Sequence, residues 1–218
     1  MPIYELDHTN RFPPVHLSEP DGLLAIGGDL SPSRLLNAYR SGIFPWYNEP
    51  PILWYCPDPR FVLFPGELYV SKSMLQLFKK KAFVVTINKC FTEVMRNCKT
   101  VPRKDQDGTW ISEEIIQAYS KLHEMGLAHS VEVWKDSELV GGLYGVLLGK
   151  VFFGESMFSR SSNASKYGFL SYVHYLQEQG VAMIDCQIYS EHLASLGARM
   201  IERNLFISLL DELIPKSE

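Results

Sequence analysis

Three consecutive apolar runs in the second half of the chain constrain its fold most strongly. They are SVEVW at 130–134, ELVGGLYGVLLG at 138–149 and KVFFGESMF at 150–158, and the polar turns KDS and GK separate them. Short runs that are rich in β-branched and aromatic residues favour strands, and tight turns join antiparallel neighbours. The sequence therefore predicts an antiparallel meander of three strands.

Helix signals flank this meander. On its N-terminal side, Ser112 can cap a helix whose first turn is acidic and whose end is marked by Gly126. On its C-terminal side, a helix is expected from about Ala164 to Gln179, and the apolar run VAMIDCQ at 181–187 then predicts a buried strand. This alternation predicts an α/β protein of the mixed α+β type, with a mixed, largely antiparallel sheet.

The first part of the chain has a different character. Most of the 13 prolines lie before residue 66, where they favour turns and short strands. Ser31 can cap one short helix there, and Gly42 can end it. We therefore expect a small N-terminal domain at 1–62 and a larger domain at 63–218.

Two more helices are predicted just after this boundary. Ser71 or Ser73 can cap the first of them. The run FVVTIN at 83–88 reads as a strand because of its β-branched content, and Asn88 can cap the second helix.

The same stretch is strongly basic. Residues 71–104 contain nine Lys and Arg and one acid, a net charge of +8, whereas the whole chain has a net charge of −4. Such an excess is typical of a surface that binds a phosphate backbone, although lysines on a solvated helix face are the simpler alternative. We expect Lys72, Lys79 and Lys80 to contact such a backbone.

Simple counts exclude several classes of protein. The longest uncharged apolar run, 139–149, is well short of the roughly 20 residues that a membrane-spanning helix needs. The four cysteines are scattered, with no CxxC pair and no histidine at zinc-finger spacing, so neither disulfides nor a metal site are predicted. The first ten residues do not resemble a secretory signal. These observations predict a cytoplasmic protein with reduced thiols.

Two carboxylates fall inside apolar runs. Glu155 lies in the third strand of the meander, and Asp185 lies in the run at 181–187. Burying a carboxylate is costly unless it is paired. An ion pair with Arg160 or Arg199 would explain either residue structurally, whereas a site at the strand ends would explain both functionally.

Six segments resemble one family closely. They are DGLLAIGGDLSPSRLLNAYRSGIFPWY at 21–47, PILWYCPDPR at 51–60, GTWI at 108–111, HSVEVWKDSELVGGLYGV at 129–146, GESMFSRSSNASK at 154–166 and IDCQIYSEHLASLGAR at 184–199. These blocks are similar to those of the bacterial leucyl/phenylalanyl-tRNA-protein transferases, and the likeness covers nearly the whole chain. The resemblance implies that a GNAT-like acyltransferase domain follows the small N-terminal domain.

The activity that this resemblance implies is transfer of Leu, Phe or Met from aminoacyl-tRNA to proteins that begin with Arg or Lys. Such transfer marks the acceptor for N-degron proteolysis. The reaction is aminolysis of an ester, and because an amide replaces an activated ester, no ATP, metal or other cofactor is expected. The expected partners are the acceptor proteins and aminoacyl-tRNA, whose phosphate backbone Lys72, Lys79 and Lys80 would contact. No membrane partner is expected, and the enzyme is expected to be a monomer.

The resemblance also assigns roles to residues. In the DCQ motif, Asp185 and Gln187 are implied to be catalytic: Gln187 orients the attacking amine, and Asp185 polarises it. Glu155 would bind either a cationic group of the acceptor or the amine of the aminoacyl group. The other implied substrate-binding residues are Trp46, Tyr39, Trp110, Tyr119, Leu143, Phe152, Met157, Ser159 and Ile184.

Two other functions stay open. An acyl-CoA-dependent N-acetyltransferase would suit the meander and the helix that follows it. However, SRSSNASKYG at 159–168 has too few glycines for the usual approach of backbone to pyrophosphate. An RNA-binding module without catalysis would suit the basic segment, but it leaves the polar residues at the strand ends unexplained.

Overall fold

The computed structural model describes residues 3–100 and 110–215. Its strands are β1 (Tyr4–Leu6), β2 (Leu23–Gly27), β3 (Phe44–Pro45), β4 (Leu53–Tyr55), β5 (Arg60–Leu63), β6 (Val84–Ile87), β7 (Ala128–Lys135), β8 (Glu138–Leu148), β9 (Val151–Ser159), β10 (Met183–Gln187) and β11 (Arg199–Ile201). Its α-helices are α1 (Pro32–Arg40), α2 (Lys72–Lys79), α3 (Phe91–Thr100), α4 (Glu113–Glu124), α5 (Ala164–Glu178), α6 (Glu191–Ala194) and α7 (Arg203–Leu213).

The strands form two sheets. The small N-terminal sheet has the order β1-β2-β4-β3, and the large sheet has the order β11-β5-β10-β9-β8-β7-β6. The predicted meander is β7, β8 and β9, which pair antiparallel. Among the described strands of the large sheet, only β9 and β10 are parallel. The predicted mixed α+β class and the largely antiparallel sheet are confirmed.

Local capping signals place several of the helix ends. The hydroxyls of Ser31, Ser71 and Ser112 each accept a hydrogen bond from the backbone N–H three residues later, which confirms these three caps. Gly42 and Gly126 have φ angles of 73° and 75°, so each takes the left-handed conformation that lets the chain leave its helix.

The predicted cap at Asn88 is wrong. Asn88 lies in a left-handed conformation, and its side-chain oxygen accepts a hydrogen bond from the backbone N–H of Ser130 on β7. The amides of Lys89 and Cys90, just before α3, donate to the carboxylate of Glu132 instead. A distant buried carboxylate has therefore replaced the local side chain at this helix start.

Helices pack on both faces of the large sheet, and two adjacent glycines on β8 permit their approach. A Cβ atom on Gly141 would lie 2.8 Å from the Cβ of Ala164 on α5. A Cβ atom on Gly142 would point to the other face, 3.4 Å from Val94 on α3 and 2.6 Å from the carbonyl oxygen of Val131. Larger residues at either position would push the layers apart.

The two sheets meet near residue 60. β5 belongs to the large sheet and begins at Arg60, so the predicted domain boundary at 62/63 falls inside this strand. The division into two domains stays a prediction. The residues on either side of this junction contribute to the cavity described next.

Candidate active site

The site lies where two parallel strands of the large sheet separate. β9 and β10 pair from Val151 and Met183 as far as Phe153 and Asp185. Beyond these residues β9 continues to Ser159 and β10 to Gln187 without pairing to each other. A cavity of about 300 Å³ lies beside this opening and takes residues from both strands.

Most of the cavity wall is apolar or aromatic. Nine of the predicted catalytic and substrate-binding residues line it: Trp46, Trp110, Leu143, Phe152, Glu155, Met157, Ile184, Asp185 and Gln187. The sequence analysis missed other wall residues, among them Phe44, Phe169, Tyr189, His192 and Leu193. An apolar wall with a few polar groups at one end is typical of a small-molecule pocket.

Asp185 is buried and paired with an arginine that the sequence analysis did not single out. Arg60 donates two hydrogen bonds to its carboxylate, from Nε at 2.8 Å and from Nη2 at 2.7 Å. The structural alternative was an ion pair with Arg160 or Arg199, but Arg199 pairs with Glu67. The one available signal was the position of Arg60, a charge at the start of the apolar run RFVLF, which needs a counter-ion when it is buried.

Two aromatic rings and a backbone carbonyl fix the position of the Arg60 side chain. Its guanidinium lies 4.8 Å from the ring centre of Phe44 and 4.6 Å from that of Phe206, so it is stacked between two aromatic rings. Its Nη1 donates to the carbonyl oxygen of Gly42. The N-terminal sheet and the C-terminal helix α7 therefore both fix the partner of Asp185.

Gln187 occupies a conformation that is rare for its residue type. Its φ angle is 64°, at a point where the pairing of β10 with β5 is irregular. Its backbone N–H donates to Asp185 Oδ1 at 2.9 Å, and its Nε2 donates to Glu155 Oε1 at 3.0 Å. A left-handed non-glycine residue stores strain, and such residues cluster at functional sites.

Glu155 forms the polar end of the cavity together with two tyrosines. Tyr39 donates to its Oε1 at 2.7 Å, Tyr119 donates to its Oε2 at 3.2 Å, and the two hydroxyls are hydrogen-bonded to each other. The pKa of Glu155 is raised to about 7: burial is the largest cause and the nearby charge of Asp185 acts in the same direction, whereas the hydrogen bonds from the two tyrosines and Gln187 partly offset them.

Three predicted substrate-binding residues lie away from the cavity wall. Tyr39 and Tyr119 are fully buried behind Glu155 and reach the cavity only through its carboxyl group. Ser159 is exposed, and its hydroxyl accepts from the backbone N–H of Ser165 and donates to the carbonyl of Ser161, so it fixes the turn before α5. None of the three lies in the cavity wall, and their role in substrate binding stays a prediction.

The predicted tRNA contacts lie on and beside α2. Lys72, Lys79 and Lys80 are exposed, as are Lys81 and Lys89 of the same basic segment. Arg103 and Lys104, which also contribute to its charge, lie outside the described residues.

The described residues contain no cluster of His, Cys, Asp and Glu that could hold a metal ion. Among the same residues, no helix has the length and apolar content needed to cross a membrane.

Comparisons with known proteins agree with one another. The family model described as "Leucyl/phenylalanyl-tRNA protein transferase" matches residues 62–211, and the model of that family's N-terminal domain matches residues 28–58. A protein named leucyl/phenylalanyl-tRNA–protein transferase from Syntrophus aciditrophicus is 57% identical over 96% of this chain and 88% of its own length. One of the same name from Flavobacterium johnsoniae is 58% identical over 95% of this chain and 99% of its own length.

A solved structure shares the fold. It is titled "Crystal structure of FemX", and it superimposes with a TM-score of 0.52 at 12% identity, over 78% of this chain and 66% of its own. The likeness at that identity concerns the fold alone.

The family models and the relatives define an aminoacyltransferase. Within that class the chain belongs to the leucyl/phenylalanyl-tRNA protein transferase family.

Proposed function

We propose that this enzyme transfers Leu, Phe or Met from aminoacyl-tRNA to the N-terminal amine of proteins that begin with Arg or Lys, and so marks them for N-degron proteolysis. The name of its relatives supports aminoacyl transfer from tRNA to protein. The observation that carries the proposal is the cavity, whose apolar wall ends at Glu155 and Asp185. An apolar side chain and a cationic amine would each find complementary surroundings there. We also propose that the enzyme works as a cytoplasmic monomer.

The apolar wall supports the choice of amino acid. Leu143, Phe152, Met157 and Ile184 surround the space between the two separating strands. Leu, Phe and Met have an unbranched β-carbon, so their side chains can enter a narrow apolar slot that excludes the β-branched Ile and Val by shape. Trp46 and Trp110 also line the cavity and offer ring faces on which the terminal adenine can stack.

In the reaction, the acceptor amine attacks the ester carbonyl, a C–N bond forms, and the C–O bond to the ribose breaks. The amine loses one proton and the ribose oxygen gains one. An α-amino group has a pKa of about 8, so about a tenth of it is neutral at pH 7. Holding amine and ester together can contribute about 7 kcal/mol, so placement matters more than a strong base.

The contacts of Gln187 and Asp185 support different roles for the two residues. Gln187 donates its amide N–H to Glu155, so its side-chain oxygen is directed elsewhere and can accept from the amine. Both oxygens of Asp185 are bonded to Arg60, and one also holds the backbone N–H of Gln187. We therefore assign orientation of the amine to Gln187, and we assign to Asp185 the placement of Gln187 and a negative field for the developing ammonium.

Acceptor specificity is the first test. Purified enzyme is incubated with labelled Phe-tRNA and peptides that differ only in their first residue: Arg, Lys, Ala, Leu or Asp. At a pH above the pKa of Glu155, which is about 7, we expect transfer to the Arg and Lys peptides only, because the ionised carboxylate attracts a cationic side chain and repels an acidic one. Equal transfer to the Ala peptide would contradict the acceptor specificity, and absence of transfer to every peptide would contradict the activity.

The exposed lysines of α2 support the proposed interaction with tRNA. Reversing the charge of Lys72, Lys79 and Lys80 should weaken tRNA binding and reduce the slope of log affinity against log salt by about 1 for each phosphate that the variant no longer neutralises. Lys121 is an exposed residue on α4, outside the basic segment, and Lys121→Glu is the matched control. An unchanged slope in the triple variant would make this region an ordinary solvated face.

The acyl-CoA alternative is less well supported. A pyrophosphate would need free amides at the start of α5. The backbone N–H of Ala164 instead donates to the carbonyl of Ser161, and that of Ser165 donates to the hydroxyl of Ser159. The chain itself therefore occupies two of the first donors of this helix.

A further inference from the structure

The hydrogen bonds between Glu155, Tyr39 and Tyr119 require a definite number of protons. Three pairs of oxygens form a closed ring: Glu155 Oε1 with the Tyr39 hydroxyl, the Tyr39 hydroxyl with the Tyr119 hydroxyl, and the Tyr119 hydroxyl with Glu155 Oε2. Each pair needs one proton between its two oxygens. Burial and the nearby Glu155 raise the pKa of both tyrosines, so each hydroxyl keeps its single proton.

An ionised Glu155 leaves this ring one proton short. Two hydroxyl protons then serve three pairs, and the oxygens of one buried pair face each other with lone pairs alone, which is unfavourable. The amide of Gln187 does not repair the ring, because it donates to Oε1 from outside it.

A protonated Glu155 completes the ring. If the proton sits on Oε2, Glu155 donates to Tyr119, Tyr119 donates to Tyr39, and Tyr39 donates to Oε1. Every pair of oxygens in the ring then shares one proton. Oε1 still accepts from Gln187 Nε2, so the hydrogen bond from the amide is kept as well.

We propose that Glu155 is a neutral carboxylic acid in the free enzyme, closed into a three-proton ring with Tyr39 and Tyr119, and that a cationic amine entering the cavity displaces its proton to solvent. The second half rests on the proposed function, because it takes the amine of a substrate as the ligand of Glu155. The exchange is balanced: the acid releases one proton, and the carboxylate that remains pairs with the ammonium group. Tyr39 and Tyr119 are positioning residues for this step.

The surrounding charges agree with a neutral acid. Both hydrogen bonds that Arg60 donates to a carboxylate go to Asp185, so within residues 3–100 and 110–215 no cation is hydrogen-bonded to Glu155. The pKa of Glu155, which is raised to about 7, also favours the protonated form. The ionisable groups around Glu155 and its cavity are Tyr39 on α1, Arg60 on β5, Tyr119 on α4, Tyr144 on β8, Asp185 and Cys186 on β10, Tyr189 after β10, and His192 on α6.

The exchange makes the site sensitive to pH in a defined direction. Below the pKa of Glu155, the pair of Arg60 and Asp185 and the neutral acid together carry no net charge. Above it the site carries one negative charge. Preference for a cationic acceptor or aminoacyl amine should therefore strengthen as the pH rises through about 7.

The free protein tests the first half of the proposal without any substrate. The chain is labelled with ¹³C at the glutamate side-chain carboxyl, and NMR spectra are recorded over a pH titration. Glu155→Gln assigns the signal of Glu155 by its disappearance, and Glu155→Asp assigns the same signal if the first variant does not fold. We expect a midpoint near 7. A midpoint at or below the ordinary value of 4.5 would show that Glu155 is ionised in the free enzyme, and the proposal would then be wrong.

Calorimetry tests the second half. An adenosine that carries phenylalanine through an amide at the 3′ position is titrated into the enzyme in two buffers with different ionisation enthalpies. One pH unit below the midpoint, we expect release of close to one proton per ligand bound, and no such release from Glu155→Gln. If the NMR midpoint is near 7 but the wild-type enzyme binds the ligand without proton release, Glu155 does not bind the substrate amine as proposed. The first half of the proposal, that Glu155 is neutral in the free enzyme, is then still supported. If the NMR midpoint is low, the proposal fails and the proposed function is untouched.

Discussion

Two carboxylates in the large sheet are surrounded mainly by hydroxyl and amide groups, yet their surroundings differ in kind. Glu132 on β7 is fully buried and accepts from the hydroxyls of Thr86 and Ser130 and from the amides of Lys89 and Cys90. Each of these four donors brings its own proton. Glu155 on β9 faces a cavity, and its ring with two tyrosines is one proton short when it is ionised.

The difference separates a structural carboxylate from a functional one. The four donors of Glu132 come from β6, β7 and the start of α3, so this side chain ties three elements together and has no capacity left for a ligand. Glu155 is less completely satisfied and can reach an incoming group. Counting donors therefore adds a chemical difference to the difference in burial between the fully buried Glu132 and the partly buried Glu155.

The largest effect should come from removing the structural carboxylate. Glu132→Ala leaves two hydroxyls and two amides without their acceptor, and we expect the free energy of unfolding to fall by about 4 kcal/mol. Transfer by the fraction that remains folded should stay within about twofold of wild type, which single-turnover assays below the melting temperature would measure. A larger loss of transfer by the folded protein would contradict the purely structural role of Glu132, because this residue would then influence the active site.

The next effect concerns pH. The folded pKa of Glu155, about 7, lies above its ordinary value of 4.5, so the folded state holds this proton more tightly. The resulting stability is present below about pH 4.5 and is lost as the pH rises through about 7. We expect a loss of up to about 3 kcal/mol between these limits in wild type relative to Glu155→Gln.

Urea unfolding of both proteins at several pH values measures this difference, and the contributions of the six histidines cancel because both proteins contain them. A constant difference between the two proteins across this range would show that Glu155 is as fully satisfied as an anion as Glu132. The contrast between the two regions would then disappear.

The smallest expected change in free energy concerns Gln187, which donates to Glu155 at the cavity. Gln187→Ala removes the amide that donates to Glu155 and the oxygen proposed to orient the amine. We expect single-turnover transfer at saturating tRNA to fall about tenfold, equivalent to about 1.4 kcal/mol. The affinity for tRNA should be unchanged, because Gln187 lies in the cavity and not in the basic segment proposed to bind the phosphate backbone. Transfer within a factor of two of wild type would remove Gln187 from the reaction.

Features with local causes could be predicted from the sequence. Ser31 and Ser112 cap their helices because the acceptor and the donor lie three residues apart. Alternation and short turns were sufficient for the meander of β7, β8 and β9. The DCQ motif and Glu155 were found because carboxylates in apolar runs are unusual whatever the fold.

Features with distant causes could not be predicted in this way. Arg60 and Asp185 are 125 residues apart, so no local pattern indicates that they pair. Asn88 has the composition of a helix cap, but Glu132, 42 residues from Cys90, supplies the acceptor instead. Tyr39 was expected to contact substrate. The fold places it behind Glu155, 116 residues away, and a ring of three oxygen pairs is visible only in three dimensions.

The stacking of Arg60 between Phe44 and Phe206 has a consequence for the timing of synthesis. A ribosome makes Phe44, Arg60 and Asp185 in that order and Phe206 after all of them. A growing chain therefore holds the arginine against one ring only, with its other side open to water, until α7 has emerged. We expect the nascent polypeptide to become competent as an enzyme only at this late stage, after nearly all of the described chain has been translated.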